Sequence, residues 1–290
     1  MTTRSIPYTQ TDLAARVRTE NFTVASRVLP RPVRRHLLAF YAYARLVDEI
    51  GDTYEGDRGA ALNDVEAQIR AALVDSHAPD LWPIVANGVR SVSELGADPQ
   101  PLFDLIAANR QDQSVSEYAT LDDLVGYCTL SANPVGRLVL AAFGASGEET
   151  TAWSDSMCTG LQLAEHWQDV AEDAAVGRIY IPREDLERFG VDPSALTAGP
   201  PASRAFRALM VFEVSRARRF LDGGKPLIAS LRGSARWAVA GFWAGGQSAL
   251  DAIAAVRFDV AAGSPRASRL CTITHAIGAL ARPTTCQEAE

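Results

Sequence analysis

Gln162-Leu163-Ala164-Glu165-His166-Trp167-Gln168-Asp169-Val170-Ala171-Glu172-Asp173 is the stretch on which the reading of this chain turns. Gln162, Glu165, Asp169 and Asp173 fall on one stripe of a helix of 3.6 residues per turn, with Glu172 at its edge. Leu161, Leu163, Trp167, Val170 and Ala171 cover the other directions. Side chains four apart on a helix are neighbours, so Asp169 and Asp173 present two carboxylates in one direction. Gly177-Arg178-Ile179-Tyr180-Ile181-Pro182 follows, a short apolar turn carrying an arginine and a tyrosine.

The same pattern occurs earlier. Tyr41, Arg45, Asp48 and Asp52 form one stripe, among Leu37, Leu38, Phe40, Ala42, Leu46, Val47 and Ile50. A solvated stripe in which Arg45 pairs with Asp48 and Glu49 accounts for this segment taken alone. Carboxylates are seldom buried unless paired or metal-bound, however. Two matched pairs in apolar helices therefore point to a cavity holding hard divalent cations bridged by an anion. That is the arrangement diphosphate chemistry needs.

Helical periodicity dominates elsewhere and alternating strand patterns are absent. Helices are expected near 10–19, 32–52, 59–75, 80–96, 100–111, 121–144, 148–176, 202–222, 233–257 and 267–281, with Pro- and Gly-containing punctuation between them. Pro134, inside Ser131-Ala132-Asn133-Pro134-Val135-Gly136-Arg137, should kink or break the helix there. No Gly/Ser-rich linker divides the chain, so one all-α domain over 1–290 is expected, with loose ends near 1–9 and 282–290.

Composition narrows the class. Hydrophobic residues make up 47 % of the 290, enough for a substantial core, and the net charge of −7 argues against general nucleic-acid binding. Lys225 is the only lysine, so arginine supplies nearly all positive charge; GC-rich codon usage explains that more readily than phosphate recognition does. The apolar run from Trp237 to Val256 holds Gln247, Ser248 and Asp251, which argues against a membrane span, and the start lacks the core of a secretory signal. Cys128, Cys158, Cys271 and Cys286 show no Cys-x-x-Cys spacing, which suits reduced thiols in a cytoplasmic protein. None of His36, His77, His166 or His275 has a Glu three residues earlier, which counts against a di-iron carboxylate bundle. The histidines individually carry no clear signal, and His166 reads as structural or solvent-facing. Arg34, Arg35 and His36 form a cluster that either is solvated or touches a membrane surface.

Together, the two acidic motifs and the Arg-Ile-Tyr continuation resemble the squalene/phytoene synthase family over roughly residues 15–260. Glu20-Asn21-Phe22, the Ser131–Arg137 segment, His166–Val170 and Gly241-Phe242-Trp243-Ala244-Gly245-Gly246 are most similar to one branch, the hydroxysqualene synthases of bacterial hopanoid synthesis. The resemblance implies an all-α isoprenoid synthase fold, a helical bundle around a central cavity. It also implies that Asp48, Asp52, Asp169 and Asp173 bind Mg²⁺, with Glu165 standing where the family usually has an Asn ligand. Arg45 and Arg178 would meet the diphosphate, and Tyr41, Gln162 and Tyr180 would line the cavity, with Asp48, Asp52, Asp169, Asp173, Tyr41 and Glu165 as the catalytic set. Phe22, Phe40, Tyr127, Phe242 and Trp243 are candidates for shielding a carbocation, although core packing explains any single one. Asn21 or Glu165 would orient the quenching water. Gln168 replaces a frequent Arg, Glu20-Asn21-Phe22 replaces a Ser-rich grip, and Gly245-Gly246 stands where dehydrosqualene-forming relatives tend to carry a tyrosine.

The implied reaction converts presqualene diphosphate and water to hydroxysqualene. The nearest rival is head-to-head condensation of two prenyl diphosphates, to presqualene diphosphate, squalene or phytoene; the non-enzyme rival is an inactive isoprenoid-binding homologue. The implied partner is the isoprenoid diphosphate, not nucleic acid, with transient membrane contact and hand-over from other enzymes of the pathway as further expectations.

Overall fold

The computed structural model describes residues 29–197, 199 and 201–281. The helix expected at 10–19, the segment Glu20-Asn21-Phe22, Cys286 and the chain ends lie outside the described residues. The chain folds as two compact units, Met1–Ser114 with Pro134–Ser146 and Val115–Asn133 with Gly147–Glu290.

In the first unit, α1 (Arg31–Asp52), α2 (Arg58–Val74), α3 (Pro83–Leu95) and α4 (Gln100–Gln111) follow one another through short turns, and α6 (Asn133–Ala142) belongs to it from Pro134 onward. Prolines at the first or second position open α1, α3 and α4, where a missing N–H costs nothing. Asp57 caps α2 by accepting from the Ala60 N–H at 2.8 Å. Leu37, Phe40, Tyr43, Leu46, Val47 and Ile50 bury one face of α1 against α2, α3 and α4. Burying each such side chain fully contributes about 1.5–3 kcal/mol. The Tyr43 hydroxyl donates to the Leu102 carbonyl at 2.7 Å, so the largest side chain in this core has no orphaned polar atom.

In the second unit, α5 (Leu121–Ser131), α7 (Glu148–Gln168), α8 (Val170–Ala175), α9 (Arg183–Phe189), α10 (Arg204–Gly223), α11 (Pro226–Ser230), α12 (Gly233–Ala255) and α13 (Arg269–Ala281) assemble around α7. Thr120 and Asp123 form a reciprocal capping box that starts α5. Helices α7 and α10 approach closely at Gly160, where a Cβ would lie 2.6 Å from the Leu221 backbone nitrogen. Trp167 of α7, wholly buried, anchors the centre.

The helix expected over 121–144 is two helices, broken at Ala132 just before the proline. Pro134 sits in the first turn of α6, where it is tolerated. The helix expected over 148–176 is also interrupted, at Asp169, whose backbone (φ −101°, ψ 14°) leaves the helical region. Helices α9 and α11 carry no sequence expectation. No β-strand forms among the described residues; one parallel bridge pairs Glu117 with Ile179. No helix among them is long and apolar enough to cross a membrane.

Candidate active site

One acidic helix belongs to each unit. In the first unit, the stripe Tyr41, Arg45, Asp48 and Asp52 runs along α1 opposite its buried face, half-buried at Asp48 and exposed at Asp52. Asn109 of α4 donates from Nδ2 to Asp48 Oδ1 at 3.5 Å and to the Leu105 carbonyl at 3.1 Å. Gln113 bonds the Gly51 carbonyl at 3.0 Å and the Asn109 carbonyl at 2.9 Å, locking the end of α1 to α4. Arg58 holds the Asp52 carbonyl at 2.9 Å.

Burial pushes the Asp48 carboxyl up to about 6; the Asn109 hydrogen bond and Arg45 oppose this, while Asp52 and Asp112 add to it. The buried Nε of Arg45 has no hydrogen-bond partner among the described residues. A buried guanidinium nitrogen without a partner, beside a carboxyl that resists ionising, is open to a further ligand.

In the second unit the break at Asp169 does not scatter the stripe. The Asp169 N–H still donates to the Glu165 carbonyl at 3.0 Å, and the Asp173 N–H to the Asp169 carbonyl at 2.8 Å. Asp169 and Asp173 are half-buried and Glu165 exposed. Burial first, then Asp169, push Asp173 up to about 7; Arg178 opposes, and Glu165 and Glu172 add.

The Gly177–Pro182 segment then folds back. Gly177 adopts φ +82°, which glycine takes at no steric cost, and the Arg178 N–H closes onto the Asp173 carbonyl at 2.9 Å. Ile179 and Arg183 hydrogen-bond the Ser116 and Tyr118 carbonyls at 2.8 and 2.9 Å, fixing the segment beside the entry to α5. A recess results, lined by His166, Asp173, Arg178 and Tyr180 with apolar Val170 and Ile181.

His166 is the residue the sequence did not reveal here. Its ring stacks on Tyr180 with centroids 3.6 Å apart, and Tyr127 and Tyr118 complete an aromatic group around Tyr180. Gln162 Nε2 lies 3.2 Å from His166 Nε2, and Asp173 Oδ2 lies 3.9 Å from Nδ1. Burial first, then Arg178, hold the imidazole down at about 3, so it is neutral and orders its neighbours by hydrogen bonding and stacking. Its sequence signals were a position between Glu165 and Asp169 and a place at the start of the branch-like His166–Val170 segment.

Both acidic turns therefore offer all-oxygen donor sets in which neighbouring carboxylates add to the raised proton affinity of Asp48 and of Asp173, which a hard divalent cation relieves.

A family model described as squalene/phytoene synthase matches residues 15–271. The chain belongs to the squalene/phytoene synthase family. It is 33 % identical over 218 residues to the hydroxysqualene synthase of Rhodopseudomonas palustris, covering 74 % of this chain and 72 % of that one. It is 30 % identical over 251 residues to the chloroplastic phytoene synthase of Daucus carota, covering 83 % and 61 %. Among solved structures, the squalene synthase HpnC of Alicyclobacillus acidocaldarius superposes with a TM-score of 0.78 at 36 % identity, covering 85 % of this chain and 93 % of that one. A ligand-bound dehydrosqualene synthase reaches the same TM-score at 22 % identity, covering 93 % and 95 %, which is a likeness of fold. The all-α isoprenoid synthase fold expected from the sequence is thus the observed one.

Against the family pattern, Gln168 is a tie rather than a ligand group: its Nε2 donates to the Pro265 carbonyl at 2.6 Å. Ser264 likewise donates to Glu172 at 2.8 Å, so the 263–265 turn is pinned to α8. Gly246 is a packing glycine, its missing Cβ falling 2.8 Å from Leu161 Cδ2. Trp243, expected among the cation-shielding rings, carries Lys225 over its ring at 4.8 Å. Phe40 is core. Of the basic cluster, His36 is buried, whereas Arg35 is exposed and hydrogen-bonded to exposed Glu94. Asn21 and Phe22 lie outside the described residues.

Proposed function

We propose that the protein is a Mg²⁺-dependent hydroxysqualene synthase, releasing diphosphate from presqualene diphosphate and admitting water to the resulting cation. The observation that carries the reading is the Asp169–Asp173 turn running straight into a strap that sets Arg178 and Tyr180 beside the same carboxylates. The hydroxysqualene synthases among the relatives favour this product over its condensation rivals.

Asp48 and Asp52 in one unit, and Asp169, Asp173 and Glu165 in the other, are assigned to holding Mg²⁺, which neutralises charge on the departing diphosphate. Arg45 in the first unit and Arg178 in the second are each assigned to diphosphate oxygens through their guanidinium groups. Tyr41 is assigned to substrate beside Arg45, and Gln162 beside Arg178, where it keeps His166 in place. Tyr127 and Tyr180 offer aromatic faces where positive charge develops on carbon, and the exposed carboxylate of Glu165 orients the quenching water. The net charge of −7 is no obstacle, because bound metal reverses the local field. Asn21, the alternative to Glu165 for orienting the water, and Phe22, a candidate for shielding the cation, lie outside the described residues. Action in the cytoplasm, with transient membrane contact by an oily product, accompanies this reading.

Feeding presqualene diphosphate or farnesyl diphosphate with Mg²⁺ and analysing products by mass spectrometry tests it. Hydroxysqualene is expected from the first and no C30 product from the second. Squalene, phytoene or presqualene diphosphate from farnesyl diphosphate would instead make the enzyme a condensing synthase. Asp48→Ala and Asp169→Ala are each expected to lower diphosphate release by about 10³-fold, in line with removing a preorganised electrostatic group. Their circular dichroism should stay helical.

A further inference from the structure

Away from the acidic stripes, three ligand types meet between α12 and α13. Cys271 and His275 lie four apart on α13 and so share a face, and Asp251 of α12 lies opposite. Asp251 Oδ2 is 2.7 Å from His275 Nε2 and 3.6 Å from Cys271 Sγ, and all three ligand atoms fall within 4.8 Å of one another. Each residue is half-buried, so the group is shielded yet reachable.

The surroundings orient it. Arg218 of α10 takes the other Asp251 oxygen, Oδ1, at 2.5 Å and donates to Gln247 Oε1 at 2.7 Å. Gln247 in turn donates to Asp222 at 3.3 Å. The imidazole stands edge-on to Trp243, with ring centroids 6.0 Å apart. Outer hydrogen bonds of this kind are what fix ligands around a metal.

Spacing points the same way. Tetrahedral zinc, with bonds of about 2.1 Å to oxygen and nitrogen and about 2.3 Å to sulfur, sets oxygen and sulfur about 3.6 Å apart and oxygen and nitrogen about 3.4 Å. The carboxylate and thiol already stand at that separation; the imidazole has only to swing out by about 0.7 Å. Helix α13 packs along α12, and Arg236 donates to its Leu280 carbonyl at 3.0 Å, yet Ala279 is its only buried residue while Leu270, Ile273 and Ile277 are exposed.

We propose that Asp251, Cys271 and His275 bind a thiophilic divalent cation of the zinc class, clamping α13 to α12 with a fourth position open to water. The thiol releases its proton to solvent on binding, the imidazole binds neutral through Nε2, and the carboxylate exchanges its contact with the ring for the metal. A thiolate and an imidazole in the donor set select against Mg²⁺, so this site and the acidic helices draw on different ions.

Cobalt(II) titration of the full chain in saturating Mg²⁺ tests this, with Mg²⁺ occupying the oxygen-only sites. One equivalent should produce thiolate-to-cobalt charge-transfer absorption with the d–d bands of a tetrahedral ion, and Zn²⁺ should bleach both. Cys271→Ser should abolish the charge-transfer band, His275→Gln should weaken cobalt affinity at least tenfold, and Zn²⁺ should slow amide exchange across Arg269–Ala281. No thiolate band in the wild-type protein, or an unchanged band in Cys271→Ser, overturns the proposal. Neither result touches the diphosphate reading, because no readout uses turnover.

Discussion

Gly51, between the two aspartates of α1, shows how much depends on one absent carbon. Its backbone is ordinary helix, so conformational freedom is not its role; space is. A Cβ there would stand 1.9 Å from Asn109 Oδ1, and Asn109 is the group that braces Asp48. Gly51→Ala must therefore push Asn109 away, costing about 1–3 kcal/mol as an overpacked site and releasing Asp48 from its hydrogen bond. Urea unfolding should show that loss, and turnover should fall as well. Adding Asn109→Ala removes the collision, so the double variant should be more stable than the sum of the single losses predicts. Simple additivity would show that the clash relaxes elsewhere. The carboxylates of this site were legible in the sequence because their spacing is local. Asn109 and Gln113 were not, since tertiary packing alone brings them to the acidic groups, and His166, though local in sequence, owes its burial and its stacking on Tyr180 to tertiary packing.

At the level of elements, long helices were readable and their interruptions only partly so. Pro134 announced the break between α5 and α6, because a proline removes a donor wherever it falls. The break at Asp169 left no trace in the pattern, because the hydrogen bonds on either side keep the four-residue repeat intact. Helices α9 and α11 span fewer than about two turns, too short for apolar periodicity to register. Yet α9 matters, since it brings buried Asp185 against α10. Arg216 of α10 donates to Asp185 Oδ2 at 2.6 Å and lies 3.3 Å from Glu213, whose side chain is fully buried. The Arg216 guanidinium also covers the Phe212 ring at 4.4 Å. Arg216→Met keeps the stem and removes the charge, leaving Asp185 without its ion-pair partner. A loss of about 3–5 kcal/mol is expected from denaturant midpoints. Asp185→Asn in the same chain should recover part of it; no recovery would mean the arginine acts through packing on Phe212 instead.

For the whole molecule, these buried groups dictate how stability responds to pH. Burial raises Glu213 from its usual 4.5 to about 8, with Arg216 opposing and Asp185 adding, and it raises Asp48 to about 6 and Asp173 to about 7. An acid raised in the folded state favours folding fully below its unfolded pKa, and that stability is lost as pH rises through the folded value. His166 runs the other way. Held at about 3, it favours folding above the unfolded value of 6.5 and withdraws that support as pH falls. Below pH 6.5 the two trends oppose; between pH 6.5 and 8 only the acids still change. The metal-free protein should therefore lose stability on going from pH 6.5 to 8, a window in which salt-bridged carboxylates, ionised in both states, would contribute no change. Thermal unfolding across that window measures it. Glu213→Gln, which resembles the protonated side chain, should flatten most of the slope between pH 7 and 8. Mg²⁺ with inorganic diphosphate should flatten the part due to Asp48 and Asp173. A wild-type slope that survives both treatments would assign the pH response to groups other than these three carboxyls.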